Sequence, residues 1–131
     1  MAIAYSTTER DNRLTQILNV IDGGATGGLL SIYNGTRPAT GGAVTTLLAQ
    51  FVLPKPSGTI AAGVYTFNAI TAVTVSTTGT ATWARFTDSA STFAADVNVG
   101  TSGSDINFNS VAFSSGASVS ITSATLTEGN P

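Results

Sequence analysis

Seven carboxylates are the side chains in this 131-residue sequence that could most directly carry out chemistry. Two carboxyl groups that face one cleft, about 5 to 9.5 Å apart, can hydrolyse a glycosidic bond. Asp88, Asp96 and Asp105 fall at expected turns or strand ends, where an Asp side chain commonly accepts hydrogen bonds from the nearby backbone. We therefore assign these three residues a structural role.

The oxygen-rich segment 98–105 is the place where a Ca²⁺ site could form. It contains one carboxylate, Asp105, whereas Ca²⁺ takes roughly six to eight oxygen ligands. The sequence predicts neither a bound metal nor a cofactor.

The sequence also lacks the side chains that nucleophilic catalysis usually needs. Ser and Thr are abundant, but a hydroxyl nucleophile needs an adjacent base, and the chain has no His, no Cys and a single Lys, Lys55, between two prolines. The Gly-rich segments 23–28 and 40–42 lack the Lys-Ser or Lys-Thr pair of a phosphate-binding loop. We predict that the protein is not an enzyme.

Charge and hydropathy exclude two classes of partner. Charged residues make up 9% of the chain, against roughly 25% in ordinary soluble domains, and the net charge is -2. The positive residues form no basic stripe that could follow a nucleic acid backbone, and no apolar run approaches the roughly 20 residues of a membrane span. The beginning of the sequence lacks a secretory signal pattern, so we expect synthesis in the cytoplasm.

The N-terminal part predicts an amphipathic helix over residues 8–22, preceded by an arm of residues 1–7. Apolar residues recur at helical spacing, Ser6, Thr7 or Thr8 can cap the beginning, and Gly23 and Gly24 end the helix. The apolar face either closes one end of the protein's own core or docks on a neighbouring subunit; its residues are Leu14, Ile17, Leu18 and Ile21.

Residues 29–127 have the sequence pattern of short strands separated by turns. We expect residues 1–131 to form a single domain. The spacing of the strands predicts an antiparallel β-sandwich or jelly roll. Pro and Gly predict exposed loops at 38–42 and 54–63, and a slip in the apolar alternation predicts a β-bulge near Ser123. The predicted strands lie at 29–33, 45–53, 64–70, 72–77, 80–87, 92–99, 105–113 and 117–127.

Strand 80–87 offers two interpretations of its alternating side chains. Trp83 and Arg85 lie on one face, and Ala84 and Phe86 lie on the other. If Phe86 points inward, Trp83 and Arg85 form an exposed aromatic and cationic spot that could anchor a partner or stack on a sugar ring. If Trp83 is the core residue, Phe86 is partly covered instead.

The sequence resembles a known protein family along essentially its whole length. The segments that carry the resemblance are MAIAYSTTERDNRLTQILNVIDGG, LLSIYNGTRPATGGAVTTLLAQFVL, GVYTFNAI, TGTATWARFTDS, VGTSGSDINFN and VSITSATLTEGNP. They are similar to small virion proteins of tailed bacteriophages, and most similar to capsid decoration, or cement, proteins. The resemblance implies a β-rich trimer that binds the major capsid protein on the outside of the head and strengthens the shell.

On this basis we expect a structural virion protein whose partner contacts lie in the segment 2–13 and in the loops 36–42 and 54–63. An alternative is a tail-associated adhesin or carbohydrate-binding module that uses Trp83, Tyr33 or Tyr65 as a stacking platform. The candidate contact residues are Tyr5, Arg10, Arg13, Arg37, Pro38, Lys55, Trp83 and Arg85.

Overall fold

The computed structural model describes residues 4–39 and 41–128, so Met1–Ile3 of the predicted arm lie outside the described residues. Helix α1 spans Thr7–Ile21, one residue earlier at each end than predicted. Ser6 caps it, because its backbone is extended and its hydroxyl accepts a 3.1 Å hydrogen bond from the Glu9 N–H. No helix among the described residues is long and apolar enough to cross a membrane.

Twelve short strands follow the helix in the described part of the chain. They are β1 (Leu29–Tyr33), β2 (Leu47–Val52), β3 (Gly58–Ala61), β4 (Val64–Phe67), β5 (Val73–Thr74), β6 (Gly79–Thr80), β7 (Trp83–Thr87), β8 (Phe93–Gly100), β9 (Ile106–Phe108), β10 (Ala112–Phe113), β11 (Ser118–Val119) and β12 (Ile121–Thr127).

The protein is mainly β, as predicted, but its sheet is curled and mixed rather than purely antiparallel. Eight strands form one sheet in the order β2-β1-β7-β8-β9-β12-β4-β3, and two-stranded ribbons pair β10 with β6 and β11 with β5. The pairing of β8 with β9 is parallel and joins Val99 to Ile106 and Gly100 to Asn107. Strand spacing could not reveal this parallel pairing, because it covers two residue pairs and the connection contains no helix.

The curl of the sheet encloses the main core. Phe67 on β4 stacks on Phe86 on β7 with ring centroids 4.8 Å apart, although these strands are not neighbours in the sheet. Helix α1 closes this core with its apolar face: Leu14 and Ile21 are buried, and Ile17 and Leu18 pack against the core. The first of the two interpretations of the helix is therefore confirmed.

The predicted loop 54–63 is wrong in part, because it contains strand β3. A tight turn through Ala62 and Gly63, both at positive φ (53° and 76°), joins β3 to β4. Helix α1 and its C-cap residue bond the backbone on either side of β3: an Asp11 carboxylate oxygen accepts the Gly63 N–H at 2.7 Å, and one from Asp22 accepts the Ser57 N–H at 3.2 Å. Asp11 and Asp22 are eleven residues apart, which is about three helical turns, so their carboxylates lie on the same side of the helix.

The predicted bulge near Ser123 is confirmed, because the pairing of β12 with β9 changes register between Ile121 and Ser123. The bulge brings Ala124 into the partly buried set that packs against the core, while Leu126 is buried.

Candidate functional site

The outer face of the sheet brings together the two candidate residues of strand β7. Side chains on this face form three rows across β2, β1, β7 and β8, set by the pairing registers. In that strand order the rows are Val52, Leu29, Thr87 and Phe93; then Gln50, Ser31, Arg85 and Asp96; then Leu47, Tyr33, Trp83 and Asn98.

Residues 34–46, which join β1 to β2, cross part of this face; we call them the cover loop, and the structure describes all of it except Thr40. The indole N–H of Trp83 donates to the Asn34 carbonyl and to the Thr45 hydroxyl, each at 3.0 Å. The Thr45 hydroxyl in turn donates to the Asn34 carbonyl. The loop therefore satisfies the one polar group of the indole while covering its ring.

Trp83 is fully buried as a result, and so is Phe86 on the opposite face of the strand. Both interpretations of strand 80–87 are therefore wrong: Trp83 and Arg85 form no exposed spot, and Phe86 is fully buried rather than partly covered, because the cover loop buries the face that the core does not use. Trp83 stacks on Tyr33 with centroids 4.5 Å apart. Tyr65, the third ring of the suggested sugar platform, is also buried, so none of the three offers a free ring face to a sugar.

Arg85 is held by a bidentate ion pair under the cover loop. Its Nε donates to one Asp96 carboxylate oxygen at 2.7 Å and its Nη2 to the other at 2.9 Å, while Nη2 also donates to the Gly42 carbonyl at 2.8 Å. The hydrogen bond to Asp96 raises the pKa of Arg85 above its usual value. The guanidinium lies 5.4 Å from the Trp83 ring centroid and 5.0 Å from that of Phe93. Its Nε and Nη2 groups are thus directed toward the sheet and the loop.

Arg37 and Pro38 lie in the cover loop, and Arg37 is exposed. No other described residue forms an ion pair or a hydrogen bond with Arg37. Two exposed apolar side chains are associated with the same loop: Val44 within it, 46% exposed, and Phe93, 41% exposed, whose ring lies against Gly41. The outward part of the loop thus combines a cation with apolar surface.

Two candidate residues near the N-terminus, Arg10 and Arg13, contact Glu128 near the C-terminus. Arg13 Nε donates to a Glu128 carboxylate oxygen at 2.8 Å, and its guanidinium lies 4.7 Å from the Tyr5 ring centroid. Arg10 donates to the Glu128 carbonyl at 3.3 Å. The hydrogen bond to Glu128 raises the pKa of Arg13. These contacts tie the beginning of α1 to the end of β12.

Lys55 stands apart from both groups. Its ammonium donates to the Gly24 carbonyl at 2.6 Å, which links the 54–57 segment to the end of α1. Among the described positive side chains, Arg10, Arg13, Lys55 and Arg85 thus all have partners within the chain, in contrast to Arg37.

Two of the three Asp residues, Asp88 and Asp105, bond nearby backbone as predicted. Asp88 accepts the N–H groups of Ala90 and Thr92 at 2.8 Å each, and the Thr92 bond is the main cause that lowers its pKa. Asp105 accepts the Asn98 N–H at 3.2 Å. Asp96, predicted to be a third backbone-bonding residue, instead pairs with Arg85. The alternation of strand 92–99 could have placed it on a face but not opposite Arg85.

No set of three or more carboxylate, imidazole or thiolate side chains among the described residues is arranged to hold a metal ion. Comparison with known proteins adds no relative: no family model matches the chain, and neither a curated protein nor a solved structure is significantly similar to it.

Proposed function

We propose that this chain is a non-enzymatic structural protein of a tailed-phage particle, a decoration protein that binds the outside of the head and stabilises the shell. The resemblance of its sequence supports the family, and the geometry of the cover loop supports a contact surface. The observation that carries the surface is Arg37: it is the described cation without a partner in its own chain, and it lies in the same loop as the exposed Val44.

In this proposal the contact with the major capsid protein runs through the outward side of the cover loop. Arg37 supplies a charge that a carboxylate of the capsid can pair, while Val44 and Phe93 supply apolar area. The partly buried Arg85 and Asp96 pair contacts the loop from below, where Arg85 donates to the Gly42 carbonyl. Arg10, Arg13 and Lys55, which we also expected among the contacts, are hydrogen-bonded within the chain and are not part of this proposed surface.

The proposal also includes the assembly and location that the resemblance implies, namely a trimer on the capsid surface made in the host cytoplasm. Three copies of one modest surface attach more durably than one, because each further contact forms within the same complex. We further propose a sandwich-like packing, in which the two ribbons act as a second layer over the curled sheet. Phe113 of β10 and Val75, the residue that follows β5, have side chains in the buried core.

The test is attachment of the purified protein to phage heads and, separately, to tails from particles that lack it, measured by co-sedimentation over a range of concentrations. We expect binding to heads, and a combined Arg37→Ala and Val44→Ser variant that binds at least about tenfold more weakly. Lys55→Ala is the matched control, because it removes the same charge from another surface; its binding should change less than about twofold.

Thermal unfolding of each variant separates a lost contact from a lost fold. Binding to tails but not heads would overturn the decoration proposal, as would an absence of binding to either. Equal weakening by Lys55→Ala would show that overall charge, rather than the cover loop, governs attachment.

A further inference from the structure

The cover loop begins with Asn34 and Gly35, the only Asn-Gly pair in the sequence. The backbone nitrogen of a residue can attack the side-chain amide of a preceding Asn, and glycine hinders this attack least because it has no side chain. Gly35 is exposed and adopts a positive φ of 75°. Its N–H forms no hydrogen bond with a described residue, so water can reach the proton that must leave.

The nucleophile of this reaction is the Gly35 nitrogen after loss of its proton, and the fold stabilises that anion. Resonance in the peptide unit shares the negative charge with the Asn34 carbonyl oxygen. This oxygen accepts the Trp83 indole N–H at 3.0 Å and also accepts the Thr45 hydroxyl. Hydrogen bonds to the charged form of a group favour that form, so both donors favour loss of the Gly35 proton.

The electrophile is the Asn34 side-chain amide, and its oxygen also has a donor. The Asn34 N–H donates to the Thr46 carbonyl at 3.3 Å, and in a regular antiparallel pair the Thr46 N–H would return a bond to the Asn34 carbonyl. It donates to Asn34 Oδ1 instead, at 3.1 Å. The donor therefore lies at the oxygen on which negative charge develops when Cγ is attacked. Asn34 Nδ2, the leaving group, forms no hydrogen bond with a described residue.

We propose that Asn34 is a self-modification site, at which the folded chain promotes conversion of the Asn-Gly pair to a cyclic imide and then to isoaspartate. Hydroxide takes the Gly35 amide proton, and the nitrogen forms a bond to Asn34 Cγ. The Cγ–Nδ2 bond then breaks, and ammonia leaves with a proton from water, which regenerates the hydroxide. Water opens the imide by adding to one of its two carbonyls.

The donors also select the product of ring opening. Two of them bond the Asn34 backbone carbonyl oxygen and one bonds Oδ1, so water adds preferentially at the backbone carbonyl carbon. The bond from that carbon to the Gly35 nitrogen breaks, and the main chain then runs through Cβ and Cγ. The cover loop gains one carbon and a carboxylate at its first residue. The inference rests on these hydrogen bonds and does not require attachment to a phage head.

The experiment incubates the purified full chain in mildly alkaline buffer and follows Asn34 by peptide mass spectrometry. The imide is detected as a loss of ammonia, and isoaspartate is separated from aspartate by its fragmentation. The reference is the peptide acetyl-Tyr-Asn-Gly-Thr-amide, which contains the same pair without the fold. We expect the folded protein to react at least about threefold faster than the peptide, with isoaspartate as the larger product.

Variants of two threonines in or beside the cover loop separate the donors from the loop's attachment. Thr45→Val keeps the side-chain shape but removes a donor to the Asn34 carbonyl, and it should slow the reaction at least about threefold. Thr82→Val is the matched control. Its hydroxyl donates to the Gly35 carbonyl at 2.6 Å, which belongs to the next peptide unit, so its rate should stay within about twofold of the parent rate.

Four results would overturn the proposal. Reaction at Asn34 that is no faster than in the peptide would show that the fold does not promote it. A faster reaction in Thr45→Val would show that this hydroxyl restrains the pair, and equal slowing by Thr82→Val would assign the effect to loop attachment. An excess of aspartate would contradict the assigned product. If Thr45→Val fails to fold, the comparison with the peptide still decides the question on the unaltered protein.

Discussion

The two faces of strand β7 are both buried, but in different ways. On the inner face, Phe86 stacks on Phe67 and belongs to a core enclosed by the curled sheet and helix α1. On the outer face, Trp83 and Arg85 are covered by one loop, whose contacts with them include the carbonyls of Asn34 and Gly42. The inner face is held by apolar packing from many elements. The outer face is held by the stacking of Trp83 on Tyr33, by the Arg85–Asp96 ion pair and by a few directed hydrogen bonds from one loop.

The outward surface of the cover loop can therefore change without loss of the fold. A core position is constrained by every element that packs on it, whereas the cover loop is constrained mainly where its backbone meets Trp83 and Arg85. Its outward side chains, such as Arg37 and Val44, are therefore free to serve a partner.

The largest expected effect is that of Phe86→Ala, which removes a fully buried ring from the inner core. It should lower the free energy of unfolding by about 3–5 kcal/mol, measured by urea denaturation. Phe93→Ala makes the same chemical change on the outer face, where the ring is 41% exposed, and should cost less than about 1 kcal/mol. Equal costs would contradict the contrast between the two faces.

Asp96→Ala should have an intermediate effect, because it leaves the Arg85 guanidinium largely covered and without its carboxylate. The Asp96 side chain is 4% exposed and that of Arg85 is 13% exposed. We expect a loss of about 2–3 kcal/mol in the free energy of unfolding.

Replacing both partners with apolar residues, Arg85→Met and Asp96→Leu, should recover most of that loss, since no charge is then left unpaired. A double variant no more stable than Asp96→Ala would mean that Arg85 acts mainly through Gly42 and the aromatic rings. The comparison of single and double variants thus separates the ion pair from the loop contact.

The sequence predicts the elements that depend on local pattern. Helix α1 and the cap at Ser6 follow from spacing and composition near the N-terminus, and β1 follows from a short apolar run. Strand β3 was missed because Pro54, Pro56 and Gly58 suggested a loop, while its formation depends on pairing with β4 and support from α1.

The candidate site depends on register, which is a property of pairs of strands. Alternation placed Trp83 and Arg85 on one face but could not show that a loop 34–46 folds back over them. Nor could it place Asp96 opposite Arg85, because that position depends on the β7–β8 hairpin and its irregularity near Thr87. The prediction of an exposed aromatic spot is wrong for this reason. Alternation assigns side chains to the two faces of a strand, but it does not show which other part of the chain covers each face.

The smallest expected effect concerns Tyr65, whose hydroxyl is a polar group within the inner core. Burial raises the pKa of Tyr65 to about 12, and its hydroxyl is hydrogen-bonded to that of Ser57. Its ordinary value is 10.0, so above pH 10 the unfolded chain loses this proton more readily than the folded one. The contribution to stability is therefore fully present below about pH 10 and is lost as the pH rises toward 12.

Urea unfolding at pH 8, 10 and 11 should show this loss, and Tyr65→Phe should show a smaller one because it has no phenol to ionise. At pH 8 the same variant should cost about 1 kcal/mol for the lost hydrogen bond to Ser57. Phe93→Ala is again the outer-face control and should keep the alkaline slope of the parent protein. If Tyr65→Phe lost stability with rising pH as steeply as the parent protein does, the alkaline loss of stability would arise outside the inner core. The Tyr65 hydroxyl would then not be the group that responds to pH.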